Sequence, residues 1–392
     1  MSDRKSKILI VHNYYQIPGG EDTVVANEKK LLESHGHEVV LYTRHNSELK
    51  SLSKVQKLLL PVSTIFNYQT YKEVKKLILA EKINIMHVHN TLNIISPSVY
   101  YAAFSCRIPV VQTVHNFRLL CPGATFFRAG KVCEDCLKKG MLCAVKNKCY
   151  RGSRIQTAAC VLSTWIHRIA GTYKKMNYIC LTEFNKAKLQ HLKQIKSEQI
   201  FVKPNFVEAE DRYVPYERRQ EQFIYVGRLE EIKGIDVLLE AWKIMGKTAP
   251  KLLICGSGPL EPWAKEFVQK NDLSQIEFLG FVPNTEVRKL IGDSKALILP
   301  TKVYEGFPMT IAESYACGTP VIGSDLGNTG SLIENGISGY KFTTGSPTEL
   351  TEAIKNIKDS FAGLSEEIIE KYSSESNYQN LRGIYEACCH HH

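Results

Sequence analysis

Short apolar runs alternating with helix-length segments constrain this chain more than any other feature. Lys7–His12 reads as a buried parallel strand. A loop with paired Gly19 and Gly20 follows, then a helix over Asp22–Ser34 that carries Val24, Val25, Leu31 and Leu32 and ends at Gly36. Glu38–Tyr42, Ile83–His89 and Pro109–His115 repeat the strand pattern. A second series comprises Phe223–Val226, a helix around Val237–Trp242, Lys251–Cys255, Ile276–Leu279, Ala296–Leu299 and Pro320–Gly323. Ser373–Ala387 has the pattern of a closing amphipathic helix. Such alternation requires right-handed crossovers and a parallel sheet covered on both faces. The expected class is therefore α/β, with two Rossmann-like units whose ligands gather at the carboxyl ends of the strands, towards a shared cleft.

At 392 residues the chain exceeds a comfortable single core. No apolar run approaches the roughly 18 residues of a membrane span, and Ile8–Val11 is too short for a signal-peptide core, so a cytoplasmic protein is expected. The polar stretch Glu208–Gln222 reads as a linker, giving domains over 1–205 and 206–372 and a last helix over 373–389. Residues 1–205 carry 31 Lys and Arg against 13 Asp and Glu, whereas residues 206–392 carry 19 against 27. The basic half is suited to phosphate, nucleic acid or anionic lipid. Cys388 and Cys389 lead into three histidines that resemble an expression tag and carry no argument.

The densest chemical signal is Tyr304–Ser324, YEGFPMTIAESYACGTPVIGS, where Glu305 and Glu313 stand eight positions apart. Gly306, Phe307 and Pro308 form a turn before a helix, whose first turn near Met309 offers unpaired N–H groups to an anion. This segment resembles the E-x7-E motif of retaining glycosyltransferases of the GT-B fold, in glycosyltransferase family 4. Further pieces fall in the family's order: Gly19-Gly20, Thr113-Val114-His115, Pro204-Asn205, Val226-Gly227-Arg228 with Lys233-Gly234, and Gly256-Ser257-Gly258-Pro259.

The resemblance implies a sugar moved with retention from a UDP- or GDP-sugar donor to a glycan or a lipid-pyrophosphate acceptor, as in surface-polysaccharide assembly. It implies that Arg228 and Lys233 neutralise the donor diphosphate. Glu313 would hold the ribose, and Glu305 with the backbone N–H groups near Phe307, Pro308 and Met309 would address the sugar and diphosphate. Gly256 and Gly258 would line the donor site, while Gly19 and Gly20 would let backbone approach the phosphates. His115 would position the transferred sugar, and His87 and His89 resemble family positions too. The base would rest near Phe281. No Asp-x-Asp occurs, so catalysis is expected to need no metal cofactor. After Ser324 the text Asp325-Leu326-Gly327-Asn328 departs from the family's paired glycines and Glu.

Residues 121–154 form a Cys-rich insert. Cys133 and Cys136 are a C-x2-C knuckle, with Cys121 before and Cys149 after, and a structural zinc on these four competes with free thiols. Lys131, Lys138, Lys139, Lys146, Lys148, Arg151 and Arg154 make the insert basic, which suits docking on an anionic membrane. Two other functions compete: a sugar-nucleotide epimerase of the same fold, and a zinc-containing nucleic-acid binder. The second lacks any helix-turn-helix or tandem finger pattern, so no nucleic-acid partner is expected.

Overall fold

The computed structural model describes residues 5–16, 19–51, 53–208 and 214–390. The chain divides into two compact units. The first holds residues 1–126, 134–203 and 378–392, and the second residues 127–133 and 204–377. Of the stretch read as a linker, residues 209–213 lie outside the described residues, as do 1–4 and 391–392. Its end, from Gln220, is already strand.

Strands of the first unit are β1 (Lys7–Tyr14), β2 (Glu38–His45), β3 (Ile85–Asn90) and β4 (Val110–Val114). A short antiparallel hairpin, β5 (Phe127–Arg128) with β6 (Lys131–Val132), falls in the second unit's residues. The first unit then adds β7 (Asn177–Cys180) and β8 (Ile200–Val202). Its sheet runs β2-β1-β3-β4-β7-β8, with every neighbouring pair parallel. Ile8 to Val11 are fully buried, because helices on both faces leave no solvent side for alternation to serve.

The second unit contains β9 (Gln220–Val226), β10 (Lys251–Cys255), β11 (Ile276–Gly280), β12 (Ser294–Leu299), β13 (Val321–Ser324) and β14 (Gly339–Phe342), in the order β11-β10-β9-β12-β13-β14. Its core gathers Phe223, Ile224, Leu252, Ile254, Leu297, Ile298 and Trp242, whose indole N–H donates to Pro250 O at 2.8 Å.

Both sheets start in the middle and build outwards, so each has a point where the strand order reverses. In the first unit it lies between β1 and β3, in the second between β9 and β12. Loops leaving such a pair on opposite faces open a crevice at the carboxyl ends of the strands. The loop after β1 holds Gly19 and runs into a helix that starts at Gly20, and His89 lies at the carboxyl end of β3. The loops after β9 and β12 hold Arg228, Lys233 and Glu305.

Candidate functional site

In the second unit the two switch-point loops meet backbone to backbone. Gly234 has φ +74°, and a Cβ there would stand 1.9 Å from Pro300 O. Lys302 N–H donates to Ile232 O at 2.9 Å, and Lys302 Nζ pairs with Asp236 at 2.6 Å. This junction brings Lys233 Nζ to 2.8 Å from Glu305 Oε1, which also accepts from Thr301 Oγ1 at 2.9 Å. The backbone of Glu305 is pinned in turn: Asn328 Nδ2 donates to Glu305 O at 2.7 Å and to Gly306 O at 2.6 Å. A cation and a carboxylate assigned separate tasks in the sequence thus form one half-buried pair.

Arg228 is 69% exposed and pairs with Glu230 at 2.6 Å. The Gly256-Ser257-Gly258 loop packs against the β9 loop: Leu229 N–H donates to Ser257 O, and a Cβ on Gly256 (φ +136°) would lie 2.0 Å from Gly227 O. At Gly258 the corresponding clash is with Leu229 O at 2.5 Å. These glycines therefore have a packing duty: they let the loop close over Gly227-Arg228.

The helix Met309–Ala316 begins with Pro308 at its N-cap, and Phe307 packs on the core. Glu313 is 7% exposed and accepts from Asn284 Nδ2 at 3.2 Å. Burial raises its pKa, against the lowering by Asn284 and Arg288. Phe281 is 84% exposed. Thr301 and Asn328 hold Glu305, and Asn284 holds Glu313, although sequence spacing does not single them out. Asn328 lies where the text departs from the family pattern, and that departure was the signal.

In the first unit, Gly19 caps the helix Gly20–Ser34, and its N–H donates to Asp22 Oδ2 at 3.0 Å. Gly19 has φ −133°, and a Cβ there would meet nothing within 4 Å, so the fold does not require glycine. Asp22 Oδ1 holds His12 Nε2 at 2.8 Å, and Tyr15 OH donates to Glu21 at 3.2 Å. Burial pushes Glu21 up to about 8 and His12 down to about 4, the latter against the pull of Asp22. His115 follows β4, with Nε2 2.9 Å from His89 Nδ1. Burial, helped by His89, holds it well below its usual range. His89, His115, Asn90, Arg118 and Thr164 line a cavity of about 80 Å³.

Within the insert, Cys136 Sγ stands 3.7 Å from Cys143 Sγ, so the knuckle's near neighbour includes a thiol outside the expected four. Cys121 is drawn down to about 6 by a hydrogen bond from Cys136, against burial and with help from the backbone of Phe126, Gly123 and Ala124. Cys133 belongs to the second unit's residues and Cys121, Cys136 and Cys149 to the first.

Comparison with known proteins matches residues 18–211 to Glycosyltransferase Family 4 and residues 208–373 to Glycosyl transferases group 1. A Methanocaldococcus jannaschii glycosyltransferase, MJ1178, is 30% identical over 169 residues, covering 42% of this chain and 47% of that protein. The Erwinia amylovora amylovoran biosynthesis glycosyltransferase AmsK is 30% identical over 127 residues, 30% of this chain and 31% of AmsK. The matches span about half or less of these curated relatives. Among solved structures, a Rickettsia africae glycosyltransferase has TM-score 0.70 at 17% identity, covering 98% of this chain and 99% of that one. The lipopolysaccharide outer core galactosyltransferase WaaB has TM-score 0.66 at 16% identity, covering 97% and 99%. Anabaena Alr3699/HepE, solved with UDP and glucose, has TM-score 0.62 at 17% identity, covering 97% and 100%. With two family halves in order along 18–373 and a parallel six-stranded sheet in each unit, this chain belongs to the family 4 glycosyltransferases and has the GT-B fold.

Proposed function

We propose that this glycosyltransferase takes a UDP- or GDP-sugar and transfers the sugar, with retention, to a glycan or lipid-pyrophosphate acceptor in surface-polysaccharide synthesis. The observation that carries the reading is the Lys233–Glu305 pair at the β9/β12 switch point, beside Arg228 and the first turn of the helix Met309–Ala316. The leaving group of such a reaction is a nucleoside diphosphate, and its developing charge needs fixed positive partners. Lys233 and Arg228 supply them, the helix start supplies N–H groups, and no divalent ion is required of the mechanism. Glu313, buried and already held by Asn284, takes the ribose hydroxyls. Gly19, whose fold does not demand glycine, serves close backbone approach to phosphate, with Gly20 beside it. His115 meets the transferred sugar.

HepE, solved with UDP-glucose, supports a uridine donor by similarity, and AmsK supports a polysaccharide product. Turnover of a panel of UDP-, GDP- and ADP-sugars tests the reading. Hydrolysis or transfer from one of them confirms it; inertness to all, with epimerisation of a sugar nucleotide instead, rejects it.

The acceptor side carries its own signature. The helix Arg154–Ile169 exposes Ile155 (74%), Leu162 (45%), Trp165 (56%) and Ile169 (67%), spaced to form one stripe, beside the basic insert. Among the described residues no helix is long and apolar enough to cross a membrane. The stripe and its cations suit a cytoplasmic enzyme resting on an anionic membrane surface, where lipid-linked acceptors lie. For the insert we propose a structural zinc on Cys121 and Cys136, completed from Cys133, Cys143 and Cys149; elemental analysis of the purified chain checks it.

A further inference from the structure

Buried charge in the first unit is strung in a line that ends at His115. Lys203 and Glu28, with side chains 1% and 0% exposed, pair at 2.7 Å through Nζ and Oε1. The other carboxylate oxygen, Oε2, stands 3.1 Å from His89 Nε2, close enough to pair electrostatically, and neither atom makes a hydrogen bond elsewhere. His89 Nδ1 is 2.9 Å from His115 Nε2. His87, two residues before His89 on β3, is otherwise engaged: Nδ1 with Tyr385 OH and Nε2 with Thr113 Oγ1, both at 2.7 Å.

Elementary bookkeeping of protons then leaves one arrangement. Lys203 and Glu28 already balance each other, so an imidazolium beside them would be an uncompensated buried charge. A bare imidazole nitrogen facing an ionised carboxylate 3.1 Å away would set lone pair against lone pair, so His89 carries its proton on Nε2. Its Nδ1 is then a lone pair that accepts from His115 Nε2–H. The neutral His115 is left with Nδ1 bare, and that nitrogen has no hydrogen bond among the described residues. We propose that Glu28, clamped by Lys203, is the positioning residue for His115: through His89 it fixes the Nε2–H tautomer and keeps Nδ1 as an acceptor for a hydroxyl of the bound sugar. A metal on Glu28, His87 and His89, whose ligand atoms lie within 4.8 Å of one another, is the rival use of the same atoms. The ammonium of Lys203 and the Tyr385 hydroxyl on His87 Nδ1 oppose it.

The proposal rests on His115 meeting the donor sugar, and the tautomer itself is read without turnover. Long-range 1H–15N spectra of the full chain labelled with 15N-histidine, with His115 assigned by its loss in His115→Gln, report the tautomer directly. The wild type should show His115 and His89 as Nε2–H. The Glu28→Leu/Lys203→Met pair, which removes both charges together, should give mixed tautomers at His115. Turnover should fall about tenfold or more, as for other imidazoles released from an orienting carboxylate, with donor KM changed less than about twofold. An Nδ1–H His115 in the wild type overturns the proposal, and so does an unchanged tautomer or unchanged turnover in the double variant. Stoichiometric metal lost on Glu28→Leu overturns it too. Should the double variant not fold, the wild-type spectrum decides alone. His115→Gln with full turnover would instead reject the role of His115 in sugar binding while leaving the tautomer result standing.

Discussion

Lys233 and Glu305 pair with each other, and that changes what their substitutions should do. Under the proposed function, a diphosphate would compete with Glu305 for the ammonium. Lys233→Ala should therefore weaken nucleoside-diphosphate binding by about tenfold to a hundredfold, the loss of one charge-assisted contact. Glu305→Ala should leave that binding intact or tighter while turnover collapses; calorimetry beside a transfer assay separates the two. Glu21 offers a second residue-scale test. Burial lifts its pKa to about 8, so the fold favours the protonated carboxyl. The stability it contributes is present at acid pH and lost as pH rises through about 8. Glu21→Gln should melt with the wild type near pH about 4 and increasingly above it towards pH about 8; a constant difference across that range would contradict the assignment.

Strands and loops show why some of this was legible in the sequence and some was not. Parallel strands with buried interiors, such as Lys7–Tyr14 and Lys251–Cys255, announce themselves as apolar runs, because both faces are covered. Asn177–Cys180, Ile200–Val202 and Gly339–Phe342 are not legible in this way: each is only three or four residues long, and two of them begin with Asn or Gly. The E-x7-E helix was readable from its turn and spacing. Its second-layer support was not, since Asn328 and Thr301 reach Glu305 through loops whose path is set only by the β9/β12 junction. Nor does spacing reveal that Cys136 sits by Cys143, or that Glu28, 61 residues before His89 in the chain, ends up beside it. Glycines divide the same way. Gly256→Ala must push Gly227 O away from a 2.0 Å approach, a strain of about 3 kcal/mol or more that should lower Tm by roughly 6 to 12 °C. Gly19→Ala meets open space and should melt like the wild type while losing affinity for phosphate-bearing ligands. Thermal melts of both variants decide.

At the scale of the whole chain, charge is divided by sequence half, with the basic excess in residues 1–205. Co-sedimentation with phosphatidylglycerol vesicles should be strong at low salt and fade as the Debye length shortens. Trp165→Ala/Ile169→Glu should abolish it while leaving donor binding unchanged, because these side chains lie on the exposed stripe of the first unit. In the other unit, the proposed grip of Lys233, Arg228 and a helix start on a nucleoside diphosphate needs no divalent ion. Calorimetric titration of the full chain with UDP and GDP, in EDTA and then in excess Mg²⁺, tests it most directly. The expected result is saturable binding of one of them with the same affinity in both buffers, lost in Lys233→Ala/Arg228→Ala. Binding that appears only with Mg²⁺, or that survives the double substitution unchanged, would contradict it.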